Sequence, residues 1–358
     1  MLSYVWDPRA ARVLSTTLAF IAVLAFLHGS RETLTLFLFA ILFAYFVEPL
    51  VDLFSRFLNG RVKAIIVTYL LLGGIVAGLV FLLGPRIANE ARELTASLPA
   101  LLDRIASGQF LVNLGRSQGW KPERTDQIQQ YFVNHRTAIF AYGESFAADL
   151  EAPLSHIWWV FLIPILGVFF LKNAKTMAGA LVHQGEDRRK RRLIDGIVGD
   201  VHIMLGSYIR AQLILAGLTA VVLTPVIALM HVPFSFILGP LAGAFEFIPV
   251  VGPAVACALI FGIALVSGYN HLLWLFLVLG TWRILQDYVN APRVMGRSLE
   301  ISPLLEIFAV LAGGEMGGVV GALISVPAFA ILRILWERLS FDEQLQAGTD
   351  AQVTSDPV

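Results

Sequence analysis

The chain has 358 residues, 57% of them apolar and 15% charged, with a formal net charge of zero. Soluble domains carry roughly 45–50% apolar and about 25% charged residues, so this composition indicates several membrane spans and not a soluble domain. Charge balance excludes a nucleic-acid binder as a whole, and the one cysteine, Cys257, cannot form an internal disulfide and reads as a small hydrophobe in a helix.

Apolar runs fall roughly at 12–28, 34–54, 64–84, 155–171, 211–231, 234–248, 253–268, 271–290 and 303–336. About 20 apolar residues cross a bilayer as a helix, so the longer runs predict spans and the shorter ones half-helices or re-entrant pieces. The first run follows Arg9 and Arg12. It ends at His28-Gly29-Ser30-Arg31, a poor cleavage site, and therefore reads as an uncleaved first span. Arg56, Arg61 and Lys63 separate the second and third runs. Lys172, Lys175 and the cluster Arg188–Arg192 follow the fourth, and Arg333 and Arg338 close the last. With four full spans first, all these groups fall on one side, which predicts cytoplasmic N- and C-termini.

The other side receives segment 85–154. It reads as an amphipathic helix over 86–105, a loop over 115–123 and a weaker helix over 127–146. Together these predict a small extracytoplasmic helical lobe with a marginal core of its own. Segment 186–209 reads as a cytoplasmic helix entering the membrane, its basic start a topology signal and its apolar stripe a packing face, with contact to anionic lipid head groups as the alternative. The predicted organisation is 1–84 as N-terminal spans and 85–154 as the lobe. Residues 155–340 form the transport region, and 341–358 a disordered tail.

From Arg210 to Arg283 the sequence holds a single charge, Glu246, directly before Ile248-Pro249-Val250-Val251-Gly252-Pro253. A carboxylate and a broken backbone are both costly in lipid. They are tolerated where they are buried in protein or line a wet cavity. A second interruption, Gly313-Gly314-Glu315-Met316-Gly317-Gly318, followed by Pro327, breaks the run at 303–336. Paired Gly/Pro-broken apolar segments point to the binding region of a secondary transporter. Arg283 and Asp287 are four apart and can pair on one helix face, beside Gln286 and Asn290.

The expected transport and coupling residues are therefore Glu246, Pro249, Gly252, Pro253, Glu315, Arg283, Gln286, Asp287 and Asn290. Gly313, Gly314, Gly317, Gly318 and Pro327 are the expected hinge and gating positions. Pro292, Arg293 and Gly296 are expected to form a turn, and Glu306 to pair with a neighbouring helix. No metal-binding, P-loop or hydrolase motif occurs, so neither an enzyme, a cofactor nor an in-chain ATP motor is expected. A passive facilitator and a membrane scaffold are the alternatives to coupled transport.

Three motifs appear in order: F-E-F-I-P-V-V-G-P (Phe245–Pro253), Q-D-Y-V-N-A-P-R-V-M-G-R-S (Gln286–Ser298) and G-A-L-I-S-V-P (Gly321–Pro327). With the hydropathy order they resemble the autoinducer-2 exporter family of bacterial membrane proteins over about residues 10–340. The resemblance implies an all-α polytopic inner-membrane transporter of about eight transmembrane segments, including re-entrant or discontinuous helices. It also implies a homo-oligomer, a pentamer, whose partners are membrane lipids and a small polar solute or a monovalent cation or proton. Members move a quorum-sensing furanone or exchange sodium or lithium for protons. Val250 stands where the family has an aromatic, and Glu306 and Glu315 stand where it is apolar or small, which turns the reading toward cation or proton coupling.

Overall fold

A computed structural model describes residues 8–117, 119–141, 158–182, 188–295 and 302–353. Every regular element among them is helical. The helices are α1 (Pro8–Gly29), α2 (Arg31–Ser55), α3 (Arg61–Ser107), α4 (Gln109–Ser117), α5 (Pro122–Asn134) and α6 (Trp159–Val182). After them come α7 (Arg188–Leu229), α8 (Ser235–Phe245), α9 (Val251–Val266) and α10 (Leu272–Leu285). A π-helical turn (Gln286–Asn290), α11 (Ala291–Met295) and α12 (Pro303–Val353) complete the fold. Six stretches are long and apolar enough to cross a membrane, and the chain is an all-α multi-pass membrane protein.

One of the six, Pro303–Ser340, meets the length and hydropathy of a span but is not one continuous helix. Gly317 (φ −140°, ψ 19°) and Gly318 (φ 60°, ψ −145°) break it. The backbones of Gly313 and Gly321 then touch, and Phe308 meets Phe329 at 6.0 Å between ring centroids. α12 is thus a helical hairpin, with both glycine pairs at the predicted hinge. Beyond Ser340, where the sequence predicts a disordered tail, the helix continues to Val353. Segment 341–353 carries three Gln and two Ala, which favour helix.

α8 and α9 form another hairpin, the first of the two in chain order. The Tyr269 hydroxyl donates to the carbonyl of Met230 at 2.8 Å, tying its open ends together. The bend at 246–250 is its tip. There Val251 N–H donates to Pro249 O at 2.6 Å across Val250 (φ 63°, ψ −56°). This is the rare γ-turn, which a β-branched residue occupies only under strain. Gly252 is required next to it, because a Cβ there would sit 1.9 Å from the Phe245 carbonyl oxygen. Pro253 follows in the first turn of α9, where no N–H is needed.

The hairpin packs on α7 and α10 through Leu223, Ile227, Leu238, Ala242, Ile260, Leu275 and Leu279. The crossing of α7 and α8 is tight because Gly239 and Gly243 face Thr224, Ala216 and Ala220. Small residues four apart let membrane helices approach this closely.

α3 runs unbroken through Pro85 and out of the apolar stretch into the lobe. There Glu90 accepts the N–H groups of Phe236 (2.9 Å) and Ile237 (3.1 Å) in the first turn of α8. Arg104 donates to Val266 O at 3.3 Å, at the end of α9. The lobe therefore sits on the open end of the α8–α9 hairpin. Residues 142–146 of the predicted weaker helix lie outside the described residues.

At the opposite end Arg61 donates to Leu171 O at 3.1 Å, and Arg338 pairs with Asp200 at 2.6 Å. Arg61 and Arg338, each from one of the sequence-defined basic groups, thus lie at this end. The α12 hairpin opens there. Its arms pack on Tyr208 and Ile209 through Val310, Ala322 and Val326, in a cluster that also takes Ile248 and Val251 from the first hairpin's tip. Two hairpins entering from opposite ends meet beside α7.

Candidate functional site

The site is assembled from three apolar elements, each carrying polar groups at similar depth. Thr219 lies ten residues before the end of α7, Glu246 eleven after the start of α8, and Arg283 eleven after the start of α10. At 1.5 Å per residue each is about 15 Å from the lobe-side end, halfway through a hydrocarbon core of about 30 Å.

Glu246 is buried, 7% exposed. Its Oε1 accepts the Thr219 hydroxyl proton at 3.0 Å. Arg283 Nη1 lies 3.4 Å from both carboxylate oxygens. Gln212 Nε2 donates to the backbone carbonyl of Glu246 at 3.0 Å. Arg283 is held more firmly from its own helix, where Nε donates to Asp287 Oδ2 at 2.7 Å and Nη2 reaches Oδ1. The guanidinium is shared unequally between two carboxylates, and its link to Glu246 is the looser one.

Gln286 is 1% exposed and has no solvent to satisfy it. Its Nε2 donates to Leu215 O at 3.1 Å and to Thr219 Oγ1 at 2.8 Å, and its Oε1 accepts from Asn290 Nδ2 at 2.7 Å. The π-helical turn sets this up, closing with the Ala291 N–H on Gln286 O. Single π turns inside helices recur at functional sites because they re-aim side chains by one residue.

The structure brings together Glu246, Arg283, Gln286, Asp287 and Asn290, with Pro249, Gly252 and Pro253 shaping the bend beneath Glu246. Glu315 does not join them. It is exposed, beside the Gly317-Gly318 turn of the other hairpin, and no hydrogen bond or ion pair is found for it among the described residues. Pro327 is buried in the second arm of that hairpin. Glu306, expected to pair with a neighbouring helix, has no ion pair among the described residues. Pro292 and Arg293 are in helix α11 and not in a turn, because the π turn keeps the backbone helical. Gly296 lies outside the described residues.

Sequence reasoning missed Gln212 and Thr219. Their signal was spacing: Tyr208, Gln212 and Thr219 recur at four and seven residues, a polar face running into the largely apolar second half of α7. No group of His, Cys, Asp and Glu that could hold a metal occurs among the described residues.

Beside Thr219 and Arg283 an apolar groove of about 330 Å³ lies between α7 and α10, lined by Val222, Val226, Trp274, Val278 and Trp282 among others.

The sequence profile described as "AI-2E family transporter" matches residues 14–341. The chain is 26% identical over 324 residues to "AI-2 transport protein TqsA" of Escherichia coli, covering 89% of each chain. It is 24% identical over 300 residues to "Putative transport protein YrrI" of Bacillus subtilis, covering 82% of this chain and 84% of that one.

Proposed function

We propose that this chain, which belongs to the AI-2E transporter family, is a membrane transporter of the secondary type. It moves a small polar solute or a monovalent cation across the bacterial inner membrane, coupled to an ion carried at Glu246. The observation behind this reading is the placement of Glu246. A buried carboxylate sits at a hairpin tip, halfway through the apolar layer, against a guanidinium committed chiefly to another partner. A proton or cation arriving at Glu246 replaces the weaker Arg283 contact at little cost, and Arg283 keeps Asp287. The hairpin tip is then free of α10. Opposed broken hairpins meeting at mid-depth are the arrangement by which secondary transporters expose a site to alternate sides.

The lining supports a polar cargo: Gln212, Thr219, Gln286 and Asn290 offer amides and a hydroxyl, and Glu246 and Asp287 outnumber Arg283 in charge. The name of the Escherichia coli relative makes autoinducer-2 one solute to test, with sodium as another. Glu315 at the exposed second tip belongs in this reading to gating. Cytoplasmic termini follow from the distribution of lysine and arginine along the sequence, with Arg61 and Arg338 at the end opposite the lobe. The homo-oligomer, a pentamer, follows from the family resemblance.

The test is gradient-driven flux of protons, sodium and autoinducer-2 in proteoliposomes, wild type against Glu246→Gln. Coupled flux that disappears in the variant supports the reading. Equal downhill flux in both proteins replaces it with a facilitator.

A further inference from the structure

We infer that Gln212 and Thr219 of α7 are positioning residues of the transport site, a two-point clamp that fixes both the backbone and the carboxylate of Glu246. The inference rests on the reading of Glu246 as the coupling residue.

Its basis is a count of donors and acceptors at one hydroxyl. A threonine oxygen offers one proton and two lone pairs. Gln286 Nε2 reaches Thr219 Oγ1 at 2.8 Å and Trp282 Nε1 reaches it at 3.4 Å, and both are N–H donors. They fill the two lone pairs. The single proton is left with one direction, toward Glu246 Oε1 at 3.0 Å. The hydroxyl thus cannot turn away from the carboxylate without losing two other bonds.

Gln212 completes the grip. Its amide holds the Glu246 carbonyl at 3.0 Å, and Tyr208 OH lies 3.4 Å from the same nitrogen. Gln212 and Thr219 are seven residues apart, two turns along one face of α7. Both are buried, at 3% and 2% exposure, so water does not compete for these bonds. The charged and titratable groups facing Glu246 are Arg283 and Asp287 from α10 and its π turn and Cys257 from α9. Tyr208 stands on α7, with Glu306 of α12 behind it. None of these donates to the Oε1 that Thr219 holds except Arg283, at 3.4 Å.

The test needs no knowledge of the cargo. Intact protein in lipid bilayers is treated at fixed pH with dicyclohexylcarbodiimide, a carboxyl reagent that enters membranes, and modification of Glu246 is followed by peptide mass spectrometry. Thr219→Val keeps the shape and removes the hydroxyl, while Thr219→Ser keeps the hydroxyl. Freed of one hydrogen bond to a charged group, Glu246 should react on the order of tenfold faster in Thr219→Val. It should react at the wild-type rate in Thr219→Ser. Equal rates in Thr219→Val and wild type overturn the inference. So do equal, raised rates in both variants, which would assign the effect to packing and not to the hydroxyl. The flux assay with Glu246→Gln stands apart from this one. Loss of the coupling reading there leaves the labelling result intact, and the reverse also holds.

Discussion

Gly243→Ala should loosen the tip of the first hairpin through one methyl group. A Cβ at Gly243 would lie 2.6 Å from the carbonyl oxygen of Ala216 and 2.9 Å from Cβ of Ala220. Ordinary contact begins near 3.4 Å, so α8 must retreat from α7 by about 0.8 Å. The obstacle is backbone and cannot rotate aside. Glu246 is three residues further on and Thr219 lies between the two obstructing residues. The same retreat stretches their 3.0 Å bond toward 3.8 Å, beyond the range of a hydrogen bond. Overpacking costs about 1–3 kcal/mol, and the lost bond to a charged group about 1.5–3 kcal/mol more. The assay is thermal unfolding of detergent-solubilised protein together with gradient-driven flux. Gly262→Ala serves as control, since no atom lies within 4 Å of its built Cβ. The expected result is a lowered midpoint and impaired coupling for Gly243→Ala, and neither for Gly262→Ala. A Gly243→Ala protein with the midpoint and flux of wild type would refute the argument that this crossing positions Glu246.

Three further outcomes are expected. Glu90→Ala removes the acceptor for the first N–H groups of α8 and should cost about 0.5–2 kcal/mol, read as faster hydrogen exchange at Phe236 and Ile237. Gln286→Leu strips Thr219, Leu215 and Asn290 of a buried partner at once. It should lower stability by about 1–3 kcal/mol and reduce flux, measured side by side in one preparation. Gly318→Ala forces a side chain into φ 60°, ψ −145°, a region essentially reserved for glycine, at a cost of about 1–3 kcal/mol. Gly317→Ala, at φ −140°, should be milder, and comparing the two melting midpoints checks the turn geometry.

Much of this site was written in the sequence because the bilayer makes polar groups conspicuous. Glu246 stood out as the single charge across some seventy residues, and the proline–glycine break beside it announced a bend. The Arg283–Asp287 pair followed from helix spacing alone. Uncharged groups were harder to see. Gln212 and Thr219 carry no charge, and threonine in a membrane helix ordinarily satisfies itself on the preceding turn, as Thr68 does on Ala64 O. Only the position of α8 against α7 tells the two cases apart. The π turn at Gln286–Asn290 was equally hidden, since its residues have no period that separates them from α-helix. Pro85 lies inside α3, which continues through it. A proline costs a helix one donor bond, and the lobe's contacts with α8 and α9 hold α3 together across it.

The unbroken run of α3 gives the lobe a mechanical meaning. Residues 61–107 form one rod, rooted at the basic end by Arg61 and clasping α8 and α9 at the other through Glu90 and Arg104. The first hairpin is therefore fastened at its mouth by the lobe and at its tip by the α7 clamp, so releasing the clamp would leave the clasp as its pivot. An antibody fragment that braces α3, α4 and α5 would grip the pivot without entering the bilayer. The lobe is in this sense a handle on a carboxylate that water-soluble reagents on that face do not touch.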